Sequence, residues 1–227
     1  MWSSHARCRG YWHRFRSLDW GSARPFSVGW WAVSDGELPE FPRGALIRYR
    51  EWYGASAPNV GLRMPAEEVA AGILEREKHD LPGDGRRMSG VADPAIFAED
   101  GGPSIASRMA RMGVVFRPAD NKRVAGAGAL GGWDQVRARL KGDGDKPALF
   151  IFSSCADLIR TLPALQHDPD RPEDVDTDAE DHAPDEARYA CMSRPWIAPA
   201  PEPEPKPIDR YARRYRQARQ RGSWLAA

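Results

Sequence analysis

Apolar positions follow two different periods along the chain. A strand beginning near Arg16 carries Ser17, Leu18, Asp19 and Trp20, and a turn follows from Gly21 to Pro25. Residues 26–33 (FSVGWWAV) are rich in aromatic and β-branched side chains. Residues 45–53 (ALIRYREWY) alternate in part. Both runs read as strands. Three successive strands with short connections predict an antiparallel meander.

The period then lengthens. Residues 65–77 (PAEEVAAGILERE) predict a helix, with Glu67 and Glu68 in the first turn, where the helix dipole favours acids. Residues 90–94 (GVADP) predict a short strand closing on a carboxylate. Helices over 104–112, 133–140 and 155–161 then alternate with strands over 114–117 and 148–152. Residues 168–181 are acidic and weakly hydrophobic, which predicts a solvated loop, and a last helix is expected over 183–192. Beyond Pro195, the run PWIAPAPEPEPKP reads as an extended spacer leading to a basic tail at 210–221. The expected fold is α/β: a mixed sheet, antiparallel meander plus parallel strands, flanked by helices. Its expected limits are residues 17–195, after an N-terminal remnant or linker (1–16) and before a disordered spacer and tail (196–227).

Composition supports one core. The chain has 227 residues, 41% of them hydrophobic, and nine Trp, which is enough for a single buried α/β unit. A net charge of +1 gives no global attraction to nucleic acid. Basic residues instead gather at the two ends and acids between Asp168 and Glu186, so opposed fields are expected on different faces. Cys8, Cys155 and Cys191 share no CxxC spacing and read as reduced thiols. No apolar run approaches the roughly 18 residues that span a bilayer, and the basic N-terminus lacks the apolar stretch of a secretory signal. A soluble chain of the cytoplasm, with no membrane partner, is expected.

The candidate chemistry lies in carboxylates from separated elements. Asp19 sits on the first strand just before a glycine, Asp93 ends a later strand before Pro94, and Asp185 lies near the start of the last helix. Asp181 and His182 precede Asp185 by four and three residues, spacings that share one helix face. Pro184 is tolerated only in a first turn, so that helix is expected to start close to Asp181. Taken singly, these are ordinary residues: Asp19 and Asp93 suit turns, Asp181 an N-cap, and His182 a surface position. Brought together, they suit hard divalent cations, which need a few protein oxygens and leave room for a phosphate.

Together these segments resemble the nuclease domain of phage terminase large subunits. SLDWGSARPFSVGWWAVSDG resembles its first motif, GVADPAIF its second, and DHAPDEARYACMSRP its third, while NKRVAGAGALGGWDQVRARL is similar to the linking basic segment. The resemblance runs in matching order over residues 17 to 195. It implies a ribonuclease H-like fold and an endonuclease with two Mg²⁺ or Mn²⁺ ions that cuts concatemeric double-stranded DNA in a bacterial host. Asp19, Asp93 and Asp185 would be the ligands, His182 a supporting residue, and Asp181 an extra ligand that competes with Asp185 for the third position. Lys122, Arg123 and Arg24 would contact DNA phosphates. The resemblance also implies a terminase small subunit, a portal protein and a separate ATPase domain as partners, because the chain has no GxxxxGK[ST] loop and no room for a motor before Asp19. Two alternatives stay open: a resolvase-like nuclease of the same fold, and an inactive module that docks to capsid or terminase partners. Trp30, Trp31 and Trp52 are expected in the core, and Ser153 and Ser154 lack the spacing of a nucleophile elbow.

Overall fold

The computed structural model describes residues 10–78, 80, 87–126, 129–144, 146–177 and 179–196. The Pro-rich spacer beyond Trp196, the basic tail and Cys8 lie outside the described residues. Strands β1 (His13–Asp19), β2 (Ser27–Val33) and β3 (Leu46–Tyr53) form the expected meander. β1 pairs antiparallel with β2 from His13 opposite Val33 to Asp19 opposite Ser27, and β2 pairs antiparallel with β3. β1 begins at His13, ahead of the 16/17 limit read from the sequence. Just before it, Trp12 is buried edge-on against Phe41, so the first segment is anchored by an aromatic pair.

A small hairpin, β4 (Ala55–Ala57) with β5 (Val60–Gly61), leads into α1 (Ala66–Glu77). Strand β6 (Ser89–Ala92) returns parallel to β1, with Leu18 beside Ala92. Helix α2 (Ile105–Arg111) follows, capped by Ser104, whose hydroxyl accepts from the Ser107 N–H at 3.1 Å. Strand β7 (Arg117–Pro118) pairs parallel with β6. It falls later than the expected 114–117 because Val114 turns into the core and the Val115 carbonyl is taken by Arg16. Helix α3 (Gly132–Lys141), strand β8 (Leu149–Ile151), helix α4 (Ala156–Thr161) and helix α5 (His182–Ser193) complete the order. The sheet reads β7-β6-β1-β2-β3-β8, with β8 parallel to β3.

Helices cover both faces, which is why β2 is a nearly unbroken apolar run. On one face Leu18, Val28 and Trp30 pack against Val69, Ala70 and Ile73 of α1 and Met109 of α2. On the other, Phe15, Trp31 and Leu46 pack against Trp133 and Val136 of α3, Leu158 of α4, and Ala183, Ala187 and Ala190 of α5. Trp30 and Trp31, consecutive on β2, therefore serve opposite faces of the sheet. Trp196, one residue past the expected end of the domain, is still buried and donates its backbone N–H to Gln135 at 2.7 Å. Among the described residues, no helix is long and apolar enough to cross a membrane.

Candidate functional site

The alternation of β1 decides where the acids go. Arg16 and Leu18 face the α1 layer, while Phe15, Ser17 and Asp19 face α5. The parallel partner β6 ends beside β1, and the Asp93 N–H extends the ladder by donating to the Leu18 carbonyl at 3.1 Å. Asp19 and Asp93 thus emerge at adjacent strand ends. The first turn of α5 crosses that end, where the His182 ring nitrogen Nδ1 meets Asp19 Oδ2 at 3.1 Å. Asp185 follows three residues later on α5.

Electrostatics register the crowding. Asp19 is 7% exposed, and its carboxyl is pushed up to about 7, first by burial, with the charges of Asp185 and Asp93 adding and His182 opposing. Asp181 is pushed up to about 6 by burial and by Asp185. His182 is held above its ordinary value: burial lowers it, but Asp19, Asp181 and Asp185 outweigh that. Burial also raises the Tyr189 hydroxyl, and Asp19, Asp185 and Asp93 add to the shift. This tyrosine therefore feels all three acids at once.

The remaining contacts define how far these groups fit a metal ion. Asp93 Oδ1 accepts from the Ala95 N–H at 3.0 Å and caps the short 3-10 turn Pro94–Phe97. Asp185 Oδ1 accepts from Arg188 Nε and Oδ2 from an Arg123 terminal nitrogen, both at 3.0 Å. Among the described residues, no three His, Cys, Asp or Glu side chains are grouped so as to hold a metal ion. Asp19 and Asp93, adjacent at the strand ends, are bound to no guanidinium in any described ion pair: Asp19 meets His182 and Asp93 a backbone N–H.

Arg123, expected at a DNA phosphate, is half-buried and donates to Asp174 at 2.7 Å, to Asp185 at 3.0 Å and to the Val175 carbonyl at 3.2 Å. Lys122 and Arg24 are exposed, the first beside Arg123 and the second in the turn that follows Asp19. The acidic segment is less solvated than its composition suggests. Asp174 is buried and accepts from Trp133 Nε1 at 3.1 Å, and Glu180 accepts from Tyr53 and Arg160 at 2.9 and 2.7 Å.

The chain matches no family model and no curated protein. Solved structures do share its fold. The large terminase of a thermophilic bacteriophage superposes with a TM-score of 0.60 at 17% identity, over 82% of this chain and 40% of that one. The P22 large terminase nuclease domain superposes with a TM-score of 0.58 at 13% identity, over 83% of this chain and 84% of that domain. The fold is that of a large-terminase nuclease domain. It is the ribonuclease H-like mixed sheet expected from the sequence, and the chain spans about 40% of the length of the thermophilic phage's large terminase.

Within this terminase nuclease fold, three further features escaped the sequence reading. Asn59, in the left-handed region at φ 57°, places its side-chain oxygen 3.3 Å from His182 Nε2. Asparagine is among the few residues that tolerate this conformation, which is the one local signal that marked it. Glu186 is fully buried, accepts from Trp31 Nε1 at 2.9 Å and from the Ser17 hydroxyl, and forms an ion pair with Arg48 at 2.5 Å. Burial pushes its carboxyl up to about 7 against the pull of Arg48. Glu51 on β3 accepts the Asp157 and Leu158 N–H groups at 2.8 and 3.0 Å and so caps α4.

Proposed function

We propose that this chain is a divalent-metal-dependent endodeoxyribonuclease of the terminase type, acting on double-stranded DNA. The observation that carries the reading is the convergence of Asp19 and Asp93 at adjacent parallel strand ends, with α5 bringing Asp185 and His182 across them. Asp19 and Asp93 would hold Mg²⁺ or Mn²⁺, and Asp181 and Asp185 would form the far wall. A bound divalent ion supplies charge that polarises the scissile phosphate and eases ionisation of the attacking water. The chain's own groups prepare the site for that ion. His182, held between Asp19 and Asn59, orients the Asp19 carboxylate. Arg188 and Arg123 fix the rotamer of Asp185. Lys122 and Arg24, exposed near the site, suit phosphate contacts that position a duplex without reading its sequence. By the same reading the biological substrate is concatemeric DNA in a bacterial host. Partners would then be a small subunit, a portal protein and an ATPase domain.

Substrate choice tests the reading. Labelled linear duplex and a four-way junction are incubated with the full chain in Mg²⁺ or Mn²⁺, with EDTA as control. Cleavage of the linear duplex that EDTA abolishes is expected. Preference for the junction would move the assignment to a resolvase-like nuclease. A folded chain that cuts neither would indicate a docking module.

A further inference from the structure

Asp185 is held by two guanidinium groups at once. Arg188, one turn further along α5, donates Nε to Oδ1, and Arg123 donates to Oδ2, each at 3.0 Å. The same Arg123 nitrogen stands 3.6 Å from Asp181. Neither arginine is a surface chain that has fallen onto the nearest acid. Arg188 is buried and also donates to the Asn121 carbonyl at 2.9 Å. Arg123 is fixed from behind by Asp174 and the Val175 carbonyl, and Asp174 is itself fixed by Trp133 Nε1 and the Val175 N–H. Both guanidinium groups lie 5.5 Å from the centre of the Trp133 ring, which supports cations on its face. The framework that places these charges is therefore independent of Asp185.

The two sides of the centre differ. On the α5 side, Asp181 and Asp185 have Arg123 as a shared counter-ion. On the strand side, the described contacts of Asp19 and Asp93 are a histidine ring and a backbone N–H. An arginine stays charged under all ordinary conditions, so it cannot step aside by losing a proton. A divalent ion placed between Asp181 and Asp185 would meet that fixed charge at contact distance, where poor solvent screening makes like charges oppose strongly.

We propose that Arg123 is the resident cation of this centre: it compensates Asp181 and Asp185, so that the chain takes one divalent ion, at Asp19 and Asp93, and no second. The assignment rests on the metal-dependent reading above and replaces the expectation of two ions. It also gives Arg123 a role distinct from DNA binding, since its donors point into the protein.

Mn²⁺ binding to the full chain tests this without any activity readout. The free ion is counted by electron paramagnetic resonance during titration with MnCl₂, and calorimetry checks the stoichiometry. One ion is expected on the native chain and on Arg123→Lys, and none on Asp19→Asn. Arg123→Gln is expected to take two ions and to bind the first roughly tenfold more tightly. Two ions on the native chain would overturn the inference and leave metal dependence standing. No ion on the native chain would overturn metal dependence and the inference together. Arg123→Gln that keeps its circular dichroism and its melting transition yet stays at one ion would also overturn it. Should that variant fail to fold, the native count of one against two decides alone.

Discussion

Asp19 shares its strand face with Phe15 and Ser17, so it ends a row of side chains enclosed by α5. Its carboxyl is pushed up to about 7, Glu186 to about 7 and Asp181 to about 6, all chiefly by burial. The folded chain therefore keeps protons that the unfolded chain releases above about pH 4. Where the folded state binds more protons, stability falls as pH rises. These three groups thus weaken the metal-free fold between about pH 4.5 and 7. His182, held above its ordinary value, acts in the same direction, because its contribution is lost as pH rises through its folded value. Opposing them at the acid end, Glu180 is held down to about 2 by Arg160 and Tyr53, and Asp174 is lowered by its bonds to Arg123. Their contributions are present above about pH 4.5 and fade below it. Thermal melts in EDTA are expected to peak near pH 5, with the midpoint several degrees lower at pH 8. A midpoint that climbs steadily from pH 5 to 8 would contradict the buried, crowded acids. At this scale the sequence exposed the acids and His182 as a set, through their i, i+3 and i+4 spacing and their positions at element ends. It hid the partners: nothing in the local pattern links Arg123 to Asp174, 51 residues away, or Asn59 to His182, 123 residues away.

Helix α5 was the element hardest to read. Its sequence, HAPDEARYACMS, has weak apolar periodicity, yet nearly every residue in it is buried. It lies against the middle of the sheet, and its polar side chains are inside because each finds a partner: Asp185 with Arg188 and Arg123, and Glu186 with Arg48, Ser17 and Trp31. The small residues Ala183, Ala187 and Ala190 allow that close approach. Gly29 on β2 provides the matching gap, since a Cβ there would run into the Glu186 carboxylate. Gly29→Ala is expected to destabilise the fold by about 1–3 kcal/mol in urea denaturation, the usual cost of overpacking a filled interior. A change well under that range would mean that α5 is not seated on β2 as described. The meander and α1 were legible for the opposite reason. Their apolar residues keep the period of the element, two in Val28 and Trp30 of β2 and three to four in Val69, Ala70 and Ile73 of α1. The hairpin β4–β5 and the displaced β7 were not legible, because such short strands carry no period of their own.

As a whole, the described molecule is a sheet that carries its acids at one end of the adjacent parallel strands β1 and β6, with a buried helix closing over them. That arrangement follows from topology: β6 must return parallel beside β1 for Asp93 to stand next to Asp19. The sequence anticipated the mixed sheet, meander plus parallel strands, without its strand order, and the likeness to the thermophilic-phage and P22 nuclease folds bears out the architecture at 17% and 13% identity. Identity this low carries the fold and leaves chemistry to be argued from the site. The central claim is that the site cuts DNA with the help of a divalent ion. Its most direct test is incubation of supercoiled plasmid with the full chain in Mn²⁺, alongside Asp93→Ala and an EDTA control, with folding of both proteins checked by circular dichroism. Nicked and linear plasmid are expected from the native chain alone, with the supercoiled form persisting in both controls. Intact plasmid with the folded native chain, or cleavage that survives Asp93→Ala and EDTA, would contradict the claim.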